Sequence, residues 1–222
     1  MLFLLVVAAG LGCRGEPTGA HYFDADTAAD GEADGGGDAD ADSDSPDGAD
    51  SDSPACSYPP GPYGFRTGMP VYPIRWTEAV IGADETRPAD LAALHCDPET
   101  HSVFVYVTIQ GCAGCAERLA AIAEQRDYWA EQGARWVFVV VDAATNADAD
   151  AYVSGNGVTF GFRTNDNDNS EYPRVVGHAD IFVGVPWVGV IRTADMMLVY
   201  DEPEDSDLDV VAIAAELAAG EG

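Results

Sequence analysis

The chain has 222 residues, thirteen of them proline, and a formal net charge of −29. All ten basic residues are arginine, and from Cys56 onward 26 acids still face nine arginines. That surface repels polyanions, which excludes nucleic acid and anionic lipid surfaces as partners, and the length fits one globular domain with appendages.

The first segment, residues 1–13, contains the eleven-residue apolar run "LFLLVVAAGLG". It is too short to span a bilayer; it fits the core of a signal peptide, or a buried apolar strand. The run stops at Gly12-Cys13. A small residue directly before Cys resembles the lipobox of bacterial lipoproteins, with Gly10 standing where that family usually has Leu. The resemblance implies that Cys13 is lipidated and becomes the mature N-terminus. The chain would then be extracytoplasmic, lipid-anchored to a bacterial membrane and facing the periplasm or cell surface. A cleaved signal without lipid is the alternative.

Residues 14–55 are rich in Asp, Ala, Gly and Ser, with eleven Asp between residues 24 and 54. No apolar periodicity is present, so the segment cannot bury a core, and it reads as a disordered acidic tether. A neutral flexible chain of that length spans roughly 35 Å, and self-repulsion extends it. The domain is expected over 56–222, with 56–102 as an irregular lead-in and 103–219 as the core. "SYPPGPYGFRTGMP" is Gly/Pro-rich, with little regular structure expected and few core residues. "VYPIRWTEAV" reads as a short edge strand, because Pro73 disfavours a central one, and "RPADLAALHC" as a short helix or turn.

"VFVYVTI", Val103–Ile109, is an apolar run of the kind buried on both faces of a sheet. A helix is expected from about Cys112 to Gln132, with Cys115, Leu119, Ile122 and Trp129 on one stripe and Gly133 as its stop. "RWVFVVVD" is a second buried strand. Strand, helix and strand with short connections make a βαβ unit, so the two strands should be parallel. "TNADADAYVSGNG" reads as a short capped helix, "VTFGF" as an extra strand and "RTNDNDNSEYP" as a polar loop. "VGVPWVGVIRTADMMLVYD" reads as two strands about a turn at Thr193–Asp195. The last helix has Ser206 as its cap and Leu208, Val211, Ala215 and Ala218 as its buried face.

Five cysteines are present. If Cys13 carries lipid, four remain. Cys112 and Cys115 pair locally, which leaves Cys56 with Cys96. That bridge would close a loop of about 40 residues, worth roughly 4 kcal/mol in the chain-entropy model. Free buried thiols or a part in a redox cycle are the other readings of Cys56 and Cys96.

The position of "GCAGC" after a strand and at a helix start carries the chemistry. A Cys in the first helical turn faces unpaired N–H groups and the positive end of the helix dipole, which favour thiolate. A free Cys, pKa near 8.5, is only about 3% ionised at pH 7; a pKa of about 7 gives half. Cys112 is then the nucleophile and Cys115 the resolving thiol. A metal site would have to draw on His95, Cys96, His101 and His178, yet no second CxxC exists and no two His share a helix face. "NDNDNSE" has Glu171 where a calcium loop needs Gly and Gly177 where it needs Glu.

The order strand, "GCAGC", helix, strand, helix, "VGVPW", strand pair, helix resembles the thioredoxin superfamily. The long stretch before Pro186, the export signal and the tether are similar to the TlpA/ResA-type redoxins, which overlap the AhpC/TSA group. The resemblance implies an α/β thioredoxin-like fold with a central mixed sheet flanked by helices. It also implies a cis peptide between Val185 and Pro186, set against the CxxC to align a partner strand. The family's usual Trp before the first Cys and Pro before the second are here Gly111 and Gly114, and the buried acid of thioredoxin is Tyr106. Trp187 replaces the common Thr after the cis-proline. The peroxiredoxin P-x-x-x-T/S-x-x-C signature is broken by Val105 and Ile109.

The expectation is a membrane-tethered thiol–disulfide oxidoreductase. It would act on protein thiols or disulfides with a redox partner protein and need no bound cofactor. The alternatives are a copper-binding or copper-delivery module, and a non-catalytic surface protein in which Cys112–Cys115 is structural.

Overall fold

The computed structural model describes residues 56–82, 85–166, 184–202 and 210–220. Cys13, the 14–55 tether, His178 and the Ser206 cap lie outside the described residues, as does most of "RTNDNDNSEYP". The elements run β1 (Arg75–Gly82), β2 (Glu85–Asp90), α1 (Leu91–His95), β3 (Ser102–Thr108), α2 (Ala113–Ala123) and α3 (Arg126–Glu131). They continue with β4 (Ala134–Val140), α4 (Asn146–Gly155), β5 (Phe162–Thr164), β6 (Trp187–Arg192), β7 (Met197–Glu202) and α5 (Val210–Gly220).

One mixed sheet has the order β2-β1-β5-β4-β3-β6-β7. The pair β3–β4 is parallel from Ser102↔Ala134 to Thr108↔Val140, as the βαβ reading requires. β5 continues the parallel run, while β6 lies antiparallel to β3 and β1 antiparallel to β5. Every residue of β3 is buried, because its two faces feed two separate cores. Val103, Val105 and Val107 pack with Val137, Val139, Trp187 and the lead-in. Phe104 and Tyr106 pack with Phe138, Leu119, Trp129 and Ala214 beneath the helices. The architecture is thioredoxin-like, a mixed sheet with helices against it.

Several expectations need correction. β1 is an inner strand; Pro73 precedes it, and the edge position falls to β2, where Pro88 and exposed charged residues suit an unpaired rim. The lead-in contributes Phe65, Val71 and Ile74 to the core. The long helix is two helices: Gln125 leaves helical geometry at φ −110°, ψ 20°. The break lets the Trp129 indole N–H donate to the Ile122 carbonyl at 3.0 Å, satisfying an end carbonyl of α2. The extra strand begins only at Phe162, so "RT" of the expected polar loop is strand and buried.

That burial of polar residues is supported. Arg163, 2% exposed, pairs with Asp150 at 2.7 Å and donates to the Gly161 and Ile81 carbonyls, which matches its buried charge. Asn165 and Thr164 bond to Asn146 at the start of α4. On α5 the packed face is Ile213, Ala214 and Leu217 with Val210 and Val211. Ala215 is exposed, Ala214 one position before it takes the core place, and Leu208 lies outside the described residues.

The start of β3 is fastened by the turn before it. Thr100 Oγ1 donates to Asp97 at 2.6 Å and Arg135 lies 3.7 Å away. The Thr100 bond, then the Glu99 N–H, hold the Asp97 carboxyl below the ordinary 3.8, with the Arg135 charge helping. A lowered carboxyl pKa stabilises the fold above about pH 4 and loses that contribution as pH falls through the folded value. Asp97→Asn should therefore lower stability at pH 7 and approach the parent as pH falls well below about 4, flattening part of the acid limb, in urea titrations across pH. Gly133, at φ +61°, ends α3 where an added Cβ would meet the Glu99 carbonyl oxygen at 2.6 Å. Gly133→Ala should cost at least ~1 kcal/mol, read in the same titrations, through both strain and clash.

Candidate active site

β3 ends at Thr108, and four residues later Cys112 caps α2. Gly111 makes the turn between them at φ +76°, a conformation open to glycine. The Gln110 N–H donates to both Asp142 carboxylate oxygens at 2.9 and 3.1 Å, tying this loop to the end of β4. Nothing in the sequence linked Asp142 to the CxxC; its place follows from β3 and β4 ending side by side.

Cys112 is the N-cap, in extended geometry, and its Sγ accepts from the Cys115 N–H at 3.3 Å. That N–H belongs to the orphan donors of a helix start, so the sulfur lies where the first turn presents positive partial charge. Cys112 and Cys115 form a disulfide with Cα atoms 5.2 Å apart. Cys112 is 5% exposed and Cys115 not at all.

Tyr106 occupies the position of thioredoxin's buried acid, and it is part of the site's framework. Its hydroxyl donates to the Cys115 carbonyl at 3.0 Å. The strand beneath the helix thus grips the first turn by a neutral hydrogen bond, with no carboxylate there to move a proton. Pro186 follows a cis Val185–Pro186 peptide. It directly precedes β6, and Trp187 pairs with Val107 near the end of β3. Pro186 and the Cys112 loop therefore stand at the same end of neighbouring strands. Trp187 itself is buried in the opposite core. A second cis peptide, Gly61–Pro62, carries no signal in the sequence.

Cys56 and Cys96 are bonded, with Cα atoms 5.7 Å apart and a sequence separation of 40. The bridge is exposed and staples the lead-in to the end of α1. His95 supports the same junction: Nδ1 lies 2.6 Å from the Thr193 carbonyl and Nε2 3.2 Å from that of Ser57. With both ring nitrogens so engaged, His95 is not presented to a metal. Among the described residues no group of three or more His, Cys, Asp or Glu is arranged to hold one.

No protein-family model matches the chain, and no curated protein matches it significantly. Solved structures do. A reduced 2-Cys peroxiredoxin of Plasmodium vivax shares 13% identity, covering 70% of this chain and 96% of its own, with a TM-score of 0.52. An uncharacterised thioredoxin-like protein of Porphyromonas gingivalis shares 17%, covering 65% and 90%, at 0.46. A thiol:disulfide interchange protein of Chlorobium tepidum shares 14%, covering 68% and 99%, at 0.44. At these identities the likeness is one of fold: the chain has a thioredoxin-like redoxin fold with a Cys-x-x-Cys disulfide at the start of its α2 helix.

Two stability measurements probe this framework. Tyr106→Phe should destabilise the oxidised domain by about 0.5–1.5 kcal/mol in urea, the net worth of one hydrogen bond. At Gly114 an added Cβ meets nothing within 4 Å, so Gly114→Ala should stabilise the domain by up to about 1 kcal/mol.

Proposed function

We propose that the protein is a thiol–disulfide oxidoreductase in which Cys112 is the exchanging sulfur. The observation that carries this is Cys112 at the α2 N-cap, with its Sγ on the Cys115 N–H, keeping 5% exposure where Cys115 has none. In the reducing direction the Cys112 thiolate attacks a partner disulfide. A mixed disulfide forms and one partner thiolate leaves. Cys115 then attacks the Cys112 sulfur, the internal disulfide forms and the second partner thiol is released. Two electrons pass from the CxxC pair to the partner; the oxidising direction is the reverse, begun by a partner thiolate at Cys112. The helix-start N–H groups stabilise Cys112 as attacking and as leaving thiolate. Pro186, beside Cys112 at the sheet end, lines the partner, with no bound cofactor required.

Peroxide reduction is disfavoured. The first position of the peroxiredoxin signature is Val105, buried in β3 between Val137 and Gly189, and its Thr/Ser position is Ile109. We also place the domain outside the cytoplasm, lipid-anchored through Cys13 on the 14–55 tether. The Cys56–Cys96 disulfide supports an oxidising compartment, and the apolar run ending at Gly12-Cys13 supports the anchor.

One observation favours a second reading, a purely structural Cys112–Cys115 bridge: Cys112 is only 5% exposed, whereas the Cys56–Cys96 bridge lies open. The reduction potential separates them. An exchanging pair should equilibrate with glutathione or dithiothreitol between about −120 and −270 mV, and a structural one below about −300 mV. Cys115→Ser should accumulate mixed disulfides with protein partners, resolved on non-reducing gels and lost in Cys112→Ser. A potential in the structural range together with no trapped species rejects catalysis.

A further inference from the structure

Arginine is this chain's only strong base, and its placement is uneven. Arg87, Arg126 and Arg135 line one cavity of about 560 Å³. Among the described residues Asp97 is the one acid on that wall, in a chain of net charge −29. The three arginines come from β2, the start of α3 and the start of β4, so the fold, not a local sequence run, brings them together. Between them the wall is aromatic, formed by Trp129, Trp136, Phe160 and Phe162. Arg87 stands over the Phe162 ring, 5.1 Å from its centroid.

The cavity is separate from the CxxC. Arg135 and Trp136 begin β4, whereas Cys112 follows the end of β3, and the two strands run parallel through seven paired positions. At about 3.3 Å per residue the two sites stand roughly 20 Å apart along the sheet.

Asp97 is already committed to Thr100 and Arg135, so among the described residues the cavity wall offers no further carboxylate to Arg87 and Arg126.

We propose that this cavity is a binding site for a small organic anion with a flat apolar body, such as an aromatic carboxylate or sulfonate. The anionic group meets the guanidinium groups, whose planar donors suit carboxylate and sulfonate oxygens. The body lies against Phe160, the half-buried ring of that wall, where ring contact and loss of water supply the remaining affinity. The acidic remainder of the surface repels the same ligand, so binding is confined to this end of the sheet.

The test uses 8-anilinonaphthalene-1-sulfonate with the full oxidised chain, followed by dye fluorescence. Saturable binding of one dye per chain is expected. Arg87→Gln/Arg126→Gln should weaken it at least tenfold, a change of about 1.4 kcal/mol, with an unchanged melting temperature. 2-Naphthoate should displace the dye, and uncharged 2-naphthalenemethanol should be at least tenfold poorer. Cys112→Ser/Cys115→Ser should bind as well as the parent. The proposal is overturned by non-saturable binding, by affinity indifferent to the arginine pair, by equal competition from the uncharged analogue, or by loss of binding in the double serine variant.

Discussion

Burial of β3 on both faces is the constraint from which the rest of the structure follows. A strand whose seven residues are all buried needs a layer on each side. α2 to α5 supply one layer through Leu119, Trp129, Val153 and Ala214. No comparable set of helices covers the other face among the described residues. There the lead-in lays Phe65, Val71 and Ile74, with α1, over Val103, Val105 and Val107. An irregular segment is a poor layer unless it is pinned, because its ordering entropy is not offset by regular hydrogen bonding. The Cys56–Cys96 bridge, the His95 contacts to Ser57 and Thr193, and the Tyr58 hydroxyl on the Val71 carbonyl pin it. The exposed disulfide therefore serves the buried strand.

The same strand sets the position of the dithiol. β3 delivers the chain to Gly111, whose positive φ turns it into α2, and Tyr106 reaches from the strand to the Cys115 carbonyl. Asp142, at the end of the neighbouring strand, holds the loop from the other side. Cys112 is thus fixed from three directions before any partner arrives. Pre-placement of this kind lowers the ordering cost of exchange, while the neutral phenol in place of an acid removes one route for proton movement.

The strands with one strong signal were legible in the sequence: β3 and β4 through continuous apolar runs, β6 and β7 through the Thr193–Asp195 turn. The break at Gln125 was not, since no Gly or Pro marks it and the bond that accompanies it comes from a side chain, Trp129, four residues on. β2, "ETRPAD", has no strand pattern at all and pairs only because β1 is beside it. Arg163 and Thr164 read as loop because their polarity is matched by Asp150 and Asn146, partners that local sequence cannot reveal. At the site, the CxxC and Pro186 were visible as residue patterns. Asp142 and the Tyr106 hydroxyl bond were not, because both depend on which strand ends lie side by side. The face of α5 was misread by one position, the usual error when Ala and Val spread along a helix leave its polar side undefined.

The two glycines of "GCAGC" are not equivalent. Gly111 is demanded by its backbone angle, so the fold alone explains it. Gly114 has no positive φ and no neighbour that a methyl group would strike. Inside a helix such a glycine is a net loss for the fold. What it does provide is a bare stretch of rim two residues along from Cys112, which is itself only 5% exposed. A narrowly open sulfur under a rim without side chains admits an extended backbone more readily than a bulky surface. That shape agrees with exchange by a partner strand aligned along Pro186, and it gives a physical reason for keeping at position 114 a residue that the helix itself does not need.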